Sequence, residues 1–295
     1  MKILHATDGS ECSEGAARFL TRFHFSEKDE IVILHVVSDI PYADDAHAQL
    51  RHVIKRVAPK ILNAAQKILS RAQARTNPME EEGAPDATIL RVATDTSADM
   101  IVMGARGLKG IQAFLLGSIT RSVAINSPLP VLVTKPSPRE TPEKMKVLFA
   151  TDGSPSSRST ATLLTSLPFP RDTELTIMNV AWSTAMEIPE RYVMEVDDRF
   201  KEDVARARTV EIRESEKIIA STKTSLEGRF SHIAALSRGG DPALEILNYA
   251  ETMKPDLIAL GSRGMKGIKG MLGSVSRRIL GHAQCPVLIG KAEHP

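Results

Sequence analysis

Two stretches of the sequence carry glycine, serine and basic residues at spacings suited to holding an anion. Residues 104–118 read GARGLKGIQAFLLGS, and residues 261–274 read GSRGMKGIKGMLGS. Glycine lets the backbone approach a ligand closely, and successive exposed N–H groups form a concavity for anions. Ser118 stands where a helix should begin, so free N–H groups and a partial positive charge would face a phosphate there. A flexible turn that binds nothing is the alternative interpretation.

Several polar side chains in or near these stretches have more than one possible role. Asp8 and Asp152 follow the first apolar run of each half in a TDGS turn, where an aspartate either acts as an acid or metal ligand or simply caps the turn. The Ser118 hydroxyl either caps its helix or bonds a phosphate oxygen, whereas Ser10 and Ser154 are placed to cap the next helix. The basic residues of the stretches either neutralise phosphates or are solvated: Arg106, Lys109, Arg263, Lys266 and Lys269.

Several better-known site types are missing. The sequence has neither the G-x4-GK[ST] motif of P-loop proteins nor G-x-G-x-x-G, so a conventional P-loop ATPase or a dinucleotide dehydrogenase is not expected. The histidines are scattered without a metal-ligand spacing, and no Ser/His/Asp set can be singled out. We therefore assign no catalytic residue and no metal ligand from the sequence.

The amino-acid composition narrows the classes of partner and the cellular compartment that we expect for this protein. The 38 basic and 36 acidic residues give a net charge of +2, which predicts no strong field for nucleic acid or an anionic membrane. Cys12 and Cys285 form no CxxC motif and are expected to be small buried residues in a reducing compartment. Neither a signal peptide nor an apolar run near the ~20 residues of a membrane helix is present, so we expect a cytoplasmic protein.

The sequence contains an internal repeat. Three pairs of segments recur in the same order: residues 2–10 with 146–154, residues 98–111 with 255–268, and residues 127–135 with 283–291. The segment KPSPRETPEK between the halves has the composition of a linker. We predict two domains, residues 1–138 and 144–295, joined by residues 139–143.

Within each half, apolar strand-like runs alternate with helical segments. This order predicts an α/β fold with two tandem doubly wound, Rossmann-like domains, each a parallel sheet between helices. Third strands are expected near residues 76–81 and 230–236. Pro59 should kink or break the second helix. Helices are predicted near residues 13–23, 43–74, 83–97, 155–166, 187–222 and 242–253.

The last strand of each half reads as an edge strand. We predict that Val131–Thr134 and Val287–Gly290 pair with each other, which would make the chain an intramolecular pseudo-dimer. Ligands of doubly wound sheets bind outside the carboxyl ends of the strands, where the TDGS turns and the glycine stretches fall.

Together these motifs resemble the universal stress protein family in a tandem two-domain form. The resemblance rests on ATDGS after strand one, HVV at the end of strand two, GAP or GDPA before helix three, and G-x2-G-x9-GS. It covers nearly the whole chain, twice. In that family the G-x2-G-x9-G-[ST] pattern accompanies ATP binding.

The resemblance implies a nucleotide contact for each matching residue. Asp8 would hydrogen-bond the adenosine, Val36 would offer backbone contacts to adenine, and Met103 with Gly104 would line the nucleoside. The phosphates would be held by the remaining matches of the first half: Gly107, Gly117 and Ser118. The corresponding residues of the second half are Asp152, Val180, Leu260, Gly261, Gly264, Gly273 and Ser274.

The second glycine stretch departs from this pattern. Eight residues rather than nine separate Gly264 from Gly273. We expect the missing residue to shift the start of the following helix relative to the loop, which puts ATP binding in the second half in question. Gly270 would let the shortened loop close.

Our leading hypothesis is a stress-response regulatory protein that binds ATP or another adenine nucleotide, with slow or no turnover. Whether Mg²⁺ accompanies ATP is open, and no dedicated base for phosphoryl transfer can be named. The alternatives are a weak ATPase or autophosphorylating enzyme, and an interaction scaffold whose second domain binds nothing. A protein partner is expected but not identified, a homodimer is left open, and neither nucleic acid nor a membrane is expected as a partner.

Overall fold

A computed structural model of the chain describes residues 1–38, 45–107, 116–135, 144–182, 198–265 and 271–292. The expected linker, residues 139–143, lies outside the described residues. So do three of the basic residues named above and the glycine expected to help the short loop close: Lys109, Lys266, Lys269 and Gly270.

The described elements occur twice in the same order. The first half contains β1 (Lys2–Ala6), α1 (Glu11–Leu20), β2 (Glu30–Ser38), α2 (Asp45–Leu69), β3 (Arg75–Gly83), α3 (Pro85–Asp95), β4 (Met100–Gly104), α4 (Ser118–Asn126) and β5 (Val131–Thr134). The second contains β6 (Lys146–Ala150), α5 (Pro155–Ser166), β7 (Glu174–Ala181), α6 (Asp198–Leu226), β8 (His232–Gly239), α7 (Pro242–Met253), β9 (Leu257–Gly261), α8 (Ser274–His282) and β10 (Val287–Gly290). None of these described helices is long and apolar enough to cross a membrane.

The ten described strands form one sheet in the order β3-β2-β1-β4-β5-β10-β9-β6-β7-β8. Neighbours within each half are parallel, and the two halves meet where β5 pairs with β10 in antiparallel register, Leu132 opposite Leu288. The predicted α/β pseudo-dimer and the pairing of the last strands are therefore confirmed. Because the seam is antiparallel, the carboxyl ends of the two sets of parallel strands lie at opposite edges of the sheet.

The core has two layers, one on each face of the sheet. Residues of α1, α2, α5 and α6 pack on one face, and residues of α3, α4, α7 and α8 pack on the other. Aromatic side chains join the repeats: the rings of Phe23 and Phe169 lie 5.2 Å apart, and Phe169 lies 5.7 Å from Phe230. Arg22 also forms an ion pair with Asp256 across the seam at 3.0 Å.

Several element bounds differ from the expectations. Helix α2 continues through Pro59, whose exposed position lets water meet the backbone carbonyl that loses its partner there. Phe23 is buried but follows α1. Phe230 lies before β8, because its N–H still bonds to Leu226 at the end of α6. Cys12 is buried as expected, whereas Cys285 is only half-buried.

Candidate functional site

The carboxylate of Asp8 is fixed beside the first glycine stretch. Its Oδ1 accepts hydrogen bonds from the Ser10 N–H at 3.0 Å and the Ser10 hydroxyl at 2.5 Å. Gly9 lies between them with φ at +76°, a left-handed conformation that favours glycine. A Cβ built on Gly107 would overlap Asp8 Oδ2. The second carboxylate oxygen therefore lies against the loop backbone at a point where only glycine leaves room.

Helix α4 begins at the other end of this stretch. Gly117 is its N-cap, and the Gly117 N–H donates to the Ala105 carbonyl at 2.9 Å. The first helical bond runs from the Arg121 N–H to the Gly117 carbonyl, so the amides of residues 118–120 have no acceptor within the helix. The Ser118 hydroxyl does not cap the helix, and Ser118 is exposed.

The second repeat builds the same arrangement. Asp152 Oδ1 accepts from the Ser154 N–H at 3.0 Å, and a Cβ on Gly264 would lie 2.9 Å from Asp152 Oδ2. Gly273 is the N-cap of α8, and its N–H donates to the Ser262 carbonyl at 2.8 Å. Each half therefore places a carboxylate, a glycine and a helix N-terminus together at the carboxyl ends of its own parallel strands.

The expected shift of the second helix is not seen, so this prediction was wrong. Ala105 and Ser262 each come directly after the glycine that ends the preceding strand, and each carbonyl holds the N-cap of the next helix. The missing residue falls between these two anchored ends. Because both ends of the shorter stretch are fixed by the same bonds, its length change leaves the helix N-terminus in place.

Buried polar side chains brace both turns, and the sequence analysis did not assign them this role. The His35 ring nitrogen Nδ1 lies 2.9 Å from the Thr7 carbonyl, and the Asn179 amide donates to the Thr151 carbonyl at 2.7 Å. These carbonyls directly precede Asp8 and Asp152. Comparing the two repeats position by position was the available signal, because a polar residue recurs at this place in β2 and β7.

Hydroxyl groups hold the start of each helix against the end of the preceding strand. The Thr120 hydroxyl donates to the Gly104 carbonyl at 2.9 Å, and the Ser276 hydroxyl donates to the Gly261 carbonyl at 2.7 Å. The hydroxyls of Ser10 and Ser154 cap α1 and α5 as predicted, each accepting a helix N–H. The loop, the strand end and two helix starts are thus tied into one unit in each repeat.

The remaining predicted residues lie around this unit in different ways. Val36 and Val180 are half-buried near the ends of β2 and β7, and Met103 and Leu260 are buried at the ends of β4 and β9. Gly104 and Gly261 have a packing role, which the sequence analysis did not assign. A Cβ at either position would lie under 3.0 Å from the first turn of α1 or α5.

A cavity of about 190 Å³ opens at the site of the second repeat. Its lining includes Asp152 and Arg263 as charged groups and Val180, Ile246 and Leu260 as apolar ones. The remaining predicted residues of that half that border it are Gly261, Gly264 and Ser274. An apolar wall with a few convergent polar groups is the usual composition of a small-molecule site.

Burial affects the ionisation of Cys12 in the first repeat. Burial raises the pKa of the Cys12 thiol, so this residue stays uncharged at neutral pH. In the part of the chain that the structure describes, no three His, Cys, Asp or Glu residues cluster closely enough to hold a metal ion.

Comparison with known proteins finds the same repeat. The model of the universal stress protein family matches residues 1–135 and again residues 144–291. A universal stress protein of Mycobacterium tuberculosis is 27% identical over 98% of this chain and 94% of its own length. The solved universal stress protein of Archaeoglobus fulgidus covers 99% of this chain and 98% of its own, with 22% identity and a TM-score of 0.66. A family member from Arabidopsis thaliana, solved with AMP bound, covers 48% of this chain and 96% of its own with 17% identity and a TM-score of 0.37.

The tandem fold agrees with the sequence matches. The two family matches fall on the two repeats of the sheet, and together they contain all of the described helices and strands. The chain therefore belongs to the universal stress protein family, whose model it matches once in each repeat.

Proposed function

We propose that this chain is a stress-response regulatory protein that binds an adenine nucleotide, ATP in the first instance, in both repeats. The main observation behind this proposal is that Asp8 lies against Gly107 and Asp152 lies against Gly264, each beside a helix N-terminus. Such an arrangement offers a carboxylate acceptor for ribose hydroxyls, and helix amides without an acceptor in their own helix for phosphate oxygens.

The residues present fit a nucleotide. A Cβ at Gly107 or Gly264 would crowd Oδ2 of the neighbouring aspartate, so only glycine lets each carboxylate lie against its loop, and the second site opens into a cavity of about 190 Å³. In our proposal Asp8 and Asp152 bind the ribose, and Val36 and Val180 contact the base. Met103, Gly104, Leu260 and Gly261 line the nucleoside. The phosphates are held at the N-termini of α4 and α8 by Gly107, Gly117, Ser118, Gly264, Gly273 and Ser274.

We propose that Mg²⁺, where it accompanies ATP, takes most of its ligands from phosphate and water. This follows from the lack of a cluster of metal-binding side chains among the described residues, and Mg²⁺ commonly keeps several waters when it binds a nucleotide.

We propose slow or no turnover at these sites. Hydrolysis needs a residue that positions the attacking water. The aspartates beside the glycine loops already hold their own turns, since Oδ1 of Asp8 and of Asp152 accepts the serine N–H two residues later. Because these oxygens already accept hydrogen bonds from their own turns, a binding module is favoured over an ATPase. We also propose the cytoplasm as its location and a protein partner that reads its nucleotide state.

Calorimetry with ATP and with AMP tests the proposal on the untagged full chain. We expect saturable binding of both nucleotides, lost at one site in Gly107→Val and at the other in Gly264→Val. Absence of binding at millimolar ligand would contradict the proposed function and favour a scaffold. Phosphate release that disappears in Asp8→Ala and Gly117→Val would instead make the protein a weak ATPase.

A further inference from the structure

Two lysines reach across the seam between the repeats in a reciprocal way. Lys135 directly follows β5, and its Nζ donates to the carbonyls of Ala283 at 2.5 Å and Gly281 at 3.2 Å. Lys291 directly follows β10, and its Nζ donates to the carbonyls of Ala124 at 2.7 Å and Ile125 at 3.4 Å. Each lysine therefore binds the last turn of a helix that belongs to the other repeat.

The helices that they bind are α4 and α8, which begin at the two candidate phosphate sites. Each helix has nine residues, so about 13 Å separates its N-terminus from its C-terminus. The last carbonyls of a helix have no partner inside it and carry a partial negative charge. A cation at that end and an anion at the N-terminus are both favoured by the same aligned peptide dipoles.

Both lysines are charged where the protein would work. Burial lowers the pKa of Lys135 and of Lys291 to about 8 each, so both amines are still mostly protonated at neutral pH. The positive charge of Arg106 contributes to the lowered pKa of Lys135, and that of Arg263 to the lowered pKa of Lys291. The arginine in the glycine stretch of the same repeat thus affects the pKa of each lysine, and the lysine binds a helix of the other repeat.

We propose that Lys135 and Lys291 are positioning residues, each supporting the phosphate site of the other repeat, an inference that rests on the proposed function. Lys135 binds carbonyls at the C-terminus of α8, which favours a phosphate at the N-terminus of α8. Lys291 does the same for α4 from the second repeat. Each site therefore depends on a lysine of the other repeat.

Nucleotide affinity at a single site tests the support that Lys291 gives to the phosphate site of the first repeat. In the Gly264→Val background, where only the first site binds, Lys291→Met should weaken ATP binding about two- to fivefold. Lys291→Arg, which keeps the charge and the donors, should restore it. Arg22→Gln is the matched control, because Arg22 is also a cation at the seam but forms its ion pair with Asp256. It should leave the affinity unchanged.

Three outcomes separate the two claims. Weaker binding in Lys291→Met with rescue by Lys291→Arg supports the positioning role of Lys291. Unchanged affinity in Lys291→Met, or an equal loss in Arg22→Gln, overturns that role but does not contradict the proposed nucleotide binding. A Gly264→Val protein that binds no ATP contradicts the proposed function at the first site. Hydrogen exchange provides a ligand-free check: Lys291→Met should speed exchange of the hydrogen-bonded amides of residues 121–126 of α4, and Lys135→Met should do so for residues 277–282 of α8.

Discussion

The N–H of Gly273 donates to the carbonyl of Ser262 at 2.8 Å, and this bond fixes the start of α8 against the end of β9. Gly117 makes the same bond to Ala105 at 2.9 Å in the first repeat. The two helices therefore begin at the same place relative to their strands although the second loop is one residue shorter. This equivalence is why we propose a nucleotide site in each repeat.

The aspartate beside each loop glycine predicts which substitution will block a site. Gly107→Ala and Gly264→Ala should each weaken nucleotide binding at their own site about 10- to 100-fold, because the new Cβ crowds Asp8 or Asp152. Calorimetry on each variant measures the loss. Gly15→Ala is the control, since nothing lies within 4 Å of its added Cβ. It should keep full affinity and stabilise α1 by about 0.5–1 kcal/mol; a loss of affinity there would contradict this account.

A repeat-to-repeat exchange tests the buried brace under the second site. Asn179→Ala should cost about 1–3 kcal/mol of unfolding free energy, because the Thr151 carbonyl loses its buried donor. It should also weaken binding in the second repeat. Asn179→His should recover most of both losses, since His35 makes the corresponding contact in the first repeat. Denaturant unfolding and calorimetry measure the two effects. If Asn179→Ala is neutral in both, the brace is unimportant.

The buried histidine of β1 predicts sensitivity to acid. His5 is fully buried, its Nε2 has no partner among the described residues, and burial lowers its pKa from 6.5 to about 4. Between these values the unfolded chain binds a proton that the folded chain does not, so stability falls as pH drops from 6.5 to 4. The loss from this residue is about 3 kcal/mol.

His5→Phe isolates this contribution, because Phe149 occupies the same position in the second repeat. We expect the variant to lose less stability than the original protein when chemical denaturation is compared at pH 7 and pH 4.5. Parallel loss in the two proteins would show that His5 does not cause the acid sensitivity.

The aromatic contact across the seam should stabilise both repeats together. Phe169→Ala removes a ring that packs between Phe23 and Phe230 and should cost about 3–5 kcal/mol. Thermal unfolding should remain a single transition at a lower temperature. Val210→Ala, at a position 58% exposed on α6, should change stability by no more than about 0.5 kcal/mol. Two separate transitions in the original protein would contradict a shared core.

The sequence predicted the sheet and its seam well because these depend on apolar strands and on a repeat visible in the letters. It placed Asp8, Gly107 and Ser118 near one another for the same reason, since all follow strand ends. It could not predict the position of α8, because the bond from Gly273 to Ser262 is a tertiary contact that does not depend on loop length. It also could not show that Lys135 binds the other repeat, because that contact spans 146 and 148 residues.

The number of nucleotides per chain tests the central proposal most directly. A native mass spectrum of the original full chain saturated with ATP should show two bound nucleotides. Gly107→Val and Gly264→Val should each show one, and the double variant should show none. An original protein that binds only one nucleotide, with the same count in Gly264→Val, would contradict a site in the second repeat. An original protein that binds no nucleotide would contradict the proposed function altogether.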